Sequence, residues 1–151
     1  MRYLLLTAAA LLAAVLPARA EAPPRLAPER VVLRTVAGDV VLALYADVAP
    51  GHVHQILKLV RLGAYDGTHF CRIDPTFVAQ ISTAYDRLSP LTPEQRAAIH
   101  PLKAEFSGLR HRRGTLSMAR DDGKPDSAET SFSVLLADAP HLDGKYTVFG
   151  E

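Results

Sequence analysis

The sequence predicts a mainly β fold, a barrel or sandwich of short strands carrying one or two helices. Three observations predict it. Short apolar, β-branched runs recur along the chain. The links between them, DDGKPD and HLDGK among others, are dense in Gly, Asp and Pro. Only one longer segment shows a clear helical period.

Residues 1–20, MRYLLLTAAALLAAVLPARA, read as a secretory signal: Arg2 gives the positive end, Tyr3–Leu16 the apolar run, Ala18-Arg19-Ala20 the cleavage site. That run is too short to span a bilayer as a helix, which takes roughly 20 residues. Cleavage after Ala20 removes 20 of 151 residues and leaves one domain's worth of chain, expected outside the cytoplasm, in the periplasm, with no stable membrane span. The whole chain has 17 basic and 16 acidic residues, and Arg2 and Arg19 leave with the signal. The near-balance gives no basic surplus for nucleic acid, and no basic amphipathic helix for a membrane surface is present. Cys71 is the single cysteine, so no internal disulfide forms and packing must supply the stability.

Glu21–Arg30, rich in Pro and charge, reads as a tether. Val31–Val36 and Val40–Tyr45 then form a hairpin signal around Ala37-Gly38-Asp39. Pro50–Leu62 switches to helical period, with Val53, Ile56, Leu57 and Val60 on one face, Pro50 at the start and Gly63 as the C-terminal cap. Ala64–Thr68 is a turn. In Ser82–Phe106 a capping box, Thr92-Pro93-Glu94-Gln95, opens a short helix to about Ile99, and the rest reads as a surface excursion. Three further strands are expected over Gly114–Ala119, Ser131–Leu136 and Tyr146–Phe149.

The stretch around which the chain is organised is Phe70–Ile81, FCRIDPTFVAQI, bent at Pro75. Arg72 stands in an apolar, strand-like run, where burial is costly unless something accepts its hydrogen bonds. Alone it reads first as an edge-strand arginine facing solvent, and second as an arginine lining an apolar cleft and presented to a ligand. The six histidines lack metal-ligand spacing, and no G-x-S-x-G elbow signals serine hydrolysis.

The order AYDGTHFCRI, FVAQ, HRRGTLSMAR, ETSFSVLL, HLDGKYTVFGE resembles a cyclophilin-type peptidyl-prolyl cis-trans isomerase of the exported bacterial type, over Val31 to Glu151. The resemblance implies a closed eight-stranded antiparallel barrel capped by helices, with a substrate groove on its outer wall. It implies that Arg72 is the catalytic arginine, with Phe77, Val78, Gln80, Met118, Ser131, Ser133, Leu142 and Tyr146 along the groove. Relatives continue beyond the position of Glu151 with a strand that pairs with the first, and that strand is missing from this sequence. There are other departures: Cys71 stands where histidine is frequent, Val78 for methionine and Arg120 for asparagine. Ser131 stands for glutamine, and Ser133 for the phenylalanine that floors the proline pocket.

The implied function is isomerisation of X–Pro bonds in unfolded or flexible polypeptides, assisting the folding of exported proteins, by a monomer needing no cofactor or metal. A different reading is a binding module that keeps the proline-peptide groove with little turnover. Ser131 and Ser133 favour the module; Arg72, Phe77, Gln80 and the intact LDGK string favour the enzyme.

Overall fold

The computed structural model describes residues 23–151, so the predicted signal at residues 1–20 lies outside the described residues. β1 (Leu26–Thr35) and β2 (Gly38–Tyr45) form the first hairpin, paired from Thr35↔Gly38 back to Arg30↔Ala43. The connection is Val36-Ala37, and Gly38, at φ 122°, is the first residue of β2 in a conformation that favours glycine. The strand begins inside the stretch expected to be a tether. Ala27 is buried in the core, and the Arg25 amide donates to both Asp47 carboxylate oxygens, at 2.9 and 3.0 Å. Pro28 is tolerated because the register slips between Leu26 and Arg30, where no ladder bond needs its missing N–H.

Helix α1 (Pro50–Arg61) starts at the predicted proline and ends in a double bond pattern around Gly63, whose φ is 66°. The Gly63 amide donates to Val60 O and the Ala64 amide to Leu59 O, both at 2.9 Å. Its buried face is rotated from the expected one: Leu59 is inside and Val60 exposed, and His52 and Gln55 are buried beside Val53 and Ile56. The two polar side chains are inside because they find partners. Gln55 Nε2 donates to His100 O and Glu129 O at 2.9 and 3.0 Å, and His52 Nδ1 lies 2.6 Å from Glu105 Oε2.

The 82–106 segment is likewise more than a surface excursion. Ala84, Leu91 and Ala98 join Leu59 and Ala64 in a second apolar cluster. Its helix α2 (Pro93–Ala97) carries the predicted capping box, with Thr92 and Gln95 bonding each other's backbone amides. Gln95 Nε2 also reaches Leu62 O at 2.7 Å, docking one helix start on the other's end.

β3 (Phe70–Ile73), β4 (Val78–Ile81), β5 (Leu116–Met118), β6 (Phe132–Leu135) and β7 (Val148–Gly150) complete one seven-stranded sheet, ordered β1-β2-β7-β5-β6-β4-β3. Its curled inner face packs Leu42, Leu44, Leu116, Phe132 and Phe149 against α1. Phe132 meets Phe149 edge-to-face at 5.5 Å, and each such ring buried contributes about 1.5–3 kcal/mol.

The expected closed barrel is corrected to an open sheet. β1 and β3 are its edges and do not pair with each other. A cavity of about 660 Å³, lined by Val31, Leu33, Ile56, Phe70 and Phe132 among others, lies between them.

Candidate functional site

The turn Asp74–Phe77 reverses the chain between β3 and β4, with the Phe77 amide donating to Asp74 O at 2.9 Å and the Asp74 amide to Val78 O at 2.8 Å. The Asp74 carboxylate accepts from Thr76 Oγ1 and Thr76 N at 2.7 and 3.0 Å, which holds its pKa below the usual carboxylate range, with a smaller contribution from Arg72. Phe77 therefore sits before the strand begins. Strand alternation, which would oppose Phe77 to Gln80, does not reach it, and both border one groove.

A second local irregularity aims Arg72. Phe70 pairs with Ile81 and Arg72 with Gln80, so β3 carries one extra residue, Cys71, at a bulge. Because Ile81 and Gln80 point to opposite faces of β4, so do Phe70 and Arg72. Phe70 packs on the core; Arg72 faces out. The register continues across the sheet from Gln80 to Ser133 and from Ser133 to Ser117, one row over four strands.

This row borders a groove of about 240 Å³. Of the residues expected there, Arg72, Phe77, Val78, Gln80, Met118, Ser133, Leu142 and Tyr146 all line it. Val78 and Leu135 are buried with Phe77 and Leu142 packed over them, an apolar floor. Met118 is 2% exposed and belongs to the main core as well. Ser131 is the exception and is not among the lining residues. Its hydroxyl donates to Ile81 O at 2.6 Å and accepts from Gln80 Nε2 at 3.2 Å, so it orients Gln80.

The Arg72 guanidinium lies 5.0 Å from the Phe77 ring centre and 3.4 Å from Asp74 Oδ2, and its side chain stays half-exposed. It is an edge-strand arginine, as its position in sequence allowed, and it also fronts the groove. At the other end Leu142 is carried by a 3-10 turn (Pro140–Leu142), tied to β5 through His111. Nδ1 of that ring lies 3.0 Å from Asp143 Oδ1 and Nε2 lies 3.0 Å from Ser117 Oγ. The His111 amide also donates to Asp143, and chiefly for that reason the carboxyl stays below its ordinary pKa. His111 and Ser117 are 2% and 3% exposed, so the chain of bonds is an internal brace for the groove.

Ser117, Ala119, Asp122 and Leu135 also line the groove without having been expected there, as does Arg120, which the sequence marked only as a departure from the family pattern. Ser117 enters through sheet register, which one sequence does not display. Arg120 and Asp122 follow Met118 closely enough for the SMAR string to have indicated them. Among the described residues no cluster of three or more His, Cys, Asp or Glu is arranged to hold a metal ion. The larger cavity, between the sheet edges, brings no comparable arginine–aromatic–glutamine set together.

The profile of the family described as cyclophilin type peptidyl-prolyl cis-trans isomerase/CLD matches residues 30–151. A peptidyl-prolyl cis-trans isomerase of Arabidopsis thaliana is 50% identical over 130 residues, covering 85% of this chain and 57% of that protein. A probable peptidyl-prolyl cis-trans isomerase of Brucella suis is 42% identical over 127 residues, covering 80% and 64%. The chain thus spans somewhat under two thirds of these relatives. Among solved structures, a cyclophilin from Hirschia baltica shares the fold at TM-score 0.71 and 23% identity, covering 81% of this chain and 62% of that one. A Cryptosporidium parvum cyclophilin type peptidyl-prolyl cis-trans isomerase, crystallised in the presence of the dipeptide Ala-Pro, aligns at TM-score 0.69 and 26% identity, covering 82% and 77%. With its profile matched over most of its length, this chain belongs to the cyclophilin type peptidyl-prolyl cis-trans isomerase family.

Proposed function

We propose that the protein is an exported peptidyl-prolyl cis-trans isomerase, acting as a monomer without cofactor on X–Pro bonds of unfolded or flexible polypeptides in the periplasm. The observation that carries the reading is the row Arg72–Gln80–Ser133–Ser117 beside Phe77 on one groove. The names of the relatives and the Ala-Pro dipeptide in the Cryptosporidium parvum crystal support the substrate class. Residues 1–20 support export, by sequence alone.

Rotation about an X–Pro bond breaks amide resonance, a barrier of about 18–20 kcal/mol. At the twisted transition state the prolyl nitrogen pyramidalises and gains a lone pair. An Arg72 N–H directed at that nitrogen bonds the twisted state more strongly than the planar one, which lowers the barrier. The Phe77 ring and Asp74 hold the guanidinium in place beforehand. Phe77, Val78, Leu135 and Leu142 offer an apolar seat for the proline ring. With one Nε2 proton engaged by Ser131, Gln80 keeps its oxygen and second N–H for the peptide backbone.

A specific observation favours the second reading, a proline-peptide-binding module. Ser133 stands mid-row, 9% exposed, between Gln80 and Ser117, and puts a hydroxyl, not a ring, at that point of the groove. A protease-coupled assay on a proline tetrapeptide, wild type against Arg72→Ala, separates the two: the isomerase turns the peptide over and the variant does not, whereas the module binds it without turnover.

A further inference from the structure

The groove carries a second guanidinium, and among the described residues it has no counterion. Arg120 is half-buried just past β5, its Cζ 4.3 Å from the centre of the Tyr146 ring. Its Nε and Nη2 donate to Lys145 O at 3.4 and 3.3 Å, and Nη1 donates to Asp121 O at 2.8 Å. Carbonyl oxygens accept these bonds without neutralising the charge. Among the described residues no carboxylate lies within ion-pairing distance of Arg120. Asp121 is paired instead with Lys124 at 3.3 Å, and Asp122 borders the groove without reaching the guanidinium. Arg72 differs, since Asp74 meets its charge at 3.4 Å.

A guanidinium stacked on an aromatic ring and pinned by two carbonyls is already ordered, so a ligand that bonds it loses little further side-chain freedom. Its planar fork suits a carboxylate, which can accept two parallel N–H bonds. We infer that the groove selects prolyl peptides bearing an acidic side chain beside the proline, and that Arg120 is the residue that selects them. The inference rests on the groove being a prolyl-peptide site and names which peptides it takes.

Arg120 remains accessible to water, so the preference is modest. A solvent-accessible ion pair changes affinity by about two- to fivefold. The exposed Asp122 works against it from the same loop. Salt weakens it, because the screening length falls from about 10 Å at 0.1 M to about 3 Å at 1 M.

The test uses tetrapeptides with Glu, Gln or Lys at each position flanking the proline, with affinity read by fluorescence titration and kcat/KM by protease-coupled assay. At low salt the wild type binds the Glu peptide about threefold or more tightly than the Lys peptide, at one flanking position at least. Arg120→Gln brings that ratio close to one, Arg120→Lys, which keeps the charge and loses the fork, lowers it below the wild-type value, Asp122→Asn raises it, and 1 M NaCl collapses it. A wild-type ratio near one at both positions, or an unchanged ratio in Arg120→Gln, overturns the inference. The affinities report whether or not the peptides are turned over. A preserved ratio without turnover upholds the acidic preference and overturns the isomerase reading alone.

Discussion

Arg72 and Gln80 are cross-strand partners on the groove side of the sheet, although Phe70, two residues before Arg72, packs into the core. Plain strand alternation would send Phe70 and Arg72 to the same face. The extra residue, Cys71, reverses the pleat between them and is itself exposed. One bulge therefore supplies both a core anchor and a groove arginine from four residues of chain.

Gly150 is the point at which the β1–β2 hairpin joins the rest of the sheet, opposite Leu44 on one side and Leu116 on the other. A Cβ there would press on the Ala43 carbonyl and come within 2.9 Å of Leu116 Cδ1. Gly150→Ala is expected to destabilise the fold by about 1–3 kcal/mol, as overpacking does elsewhere. The urea midpoint reads it; an unchanged midpoint contradicts so tight a junction.

Acid should weaken the fold through His52 before it weakens it through Glu105. Burial pushes the His52 pKa down, and the neighbouring carboxylate only partly restores it. The neutral ring donates from Nδ1 to Glu105, and Nε2 is buried without a partner, so a second proton has nothing to bond. The unfolded histidine titrates near 6.5 and takes up a proton that the folded one resists, so stability falls as pH drops below about 6.5. Glu105 acts lower. Burial raises its pKa, but the Gly51 amide, the His52 ring and the His52 amide together bring it below the ordinary value. Its contribution is present above the ordinary glutamate range and is lost as pH falls through the depressed value. Urea midpoints at pH 7.5 and 5.5 should differ less in His52→Gln than in the wild type; equal differences remove His52 from the account.

The strands and the helix caps were legible because each depends on local rules: β-branched runs, Pro at a helix start, Gly at its end, a capping box. The groove residues were legible only through the resemblance of the motif order to a family. Other features depend on partners distant in sequence. His52 and Gln55 are polar yet buried, because Glu105, His100 and Glu129 come back to meet them. The first strand reaches into a proline-rich stretch because Asp47 and the core hold it. Ser131, expected along the groove, is not among its lining residues and holds Gln80 through a hydrogen bond across 51 residues of sequence, which no local rule displays.

Ser133 sets the ceiling on rate in this account. No residue of the 82–106 segment lines the groove, so that segment does not obstruct a larger side chain at position 133. Ser133→Phe should restore a ring against the substrate proline and raise kcat/KM about tenfold, equivalent to about 1.4 kcal/mol of transition-state stabilisation. A variant that folds normally and isomerises no faster favours the binding module.

The most direct measurement is kcat/KM for a proline tetrapeptide in wild type, Arg72→Ala and Arg72→Lys, each with its circular dichroism spectrum. Arg72 is half-exposed on an edge strand, so its loss should leave the fold intact. Arg72→Ala is expected to lose at least about 100-fold, some 2.7 kcal/mol of transition-state stabilisation. Arg72→Lys should recover little, since lysine keeps the charge and loses the planar fork. Turnover unchanged in a correctly folded Arg72→Ala protein contradicts a catalytic role for Arg72.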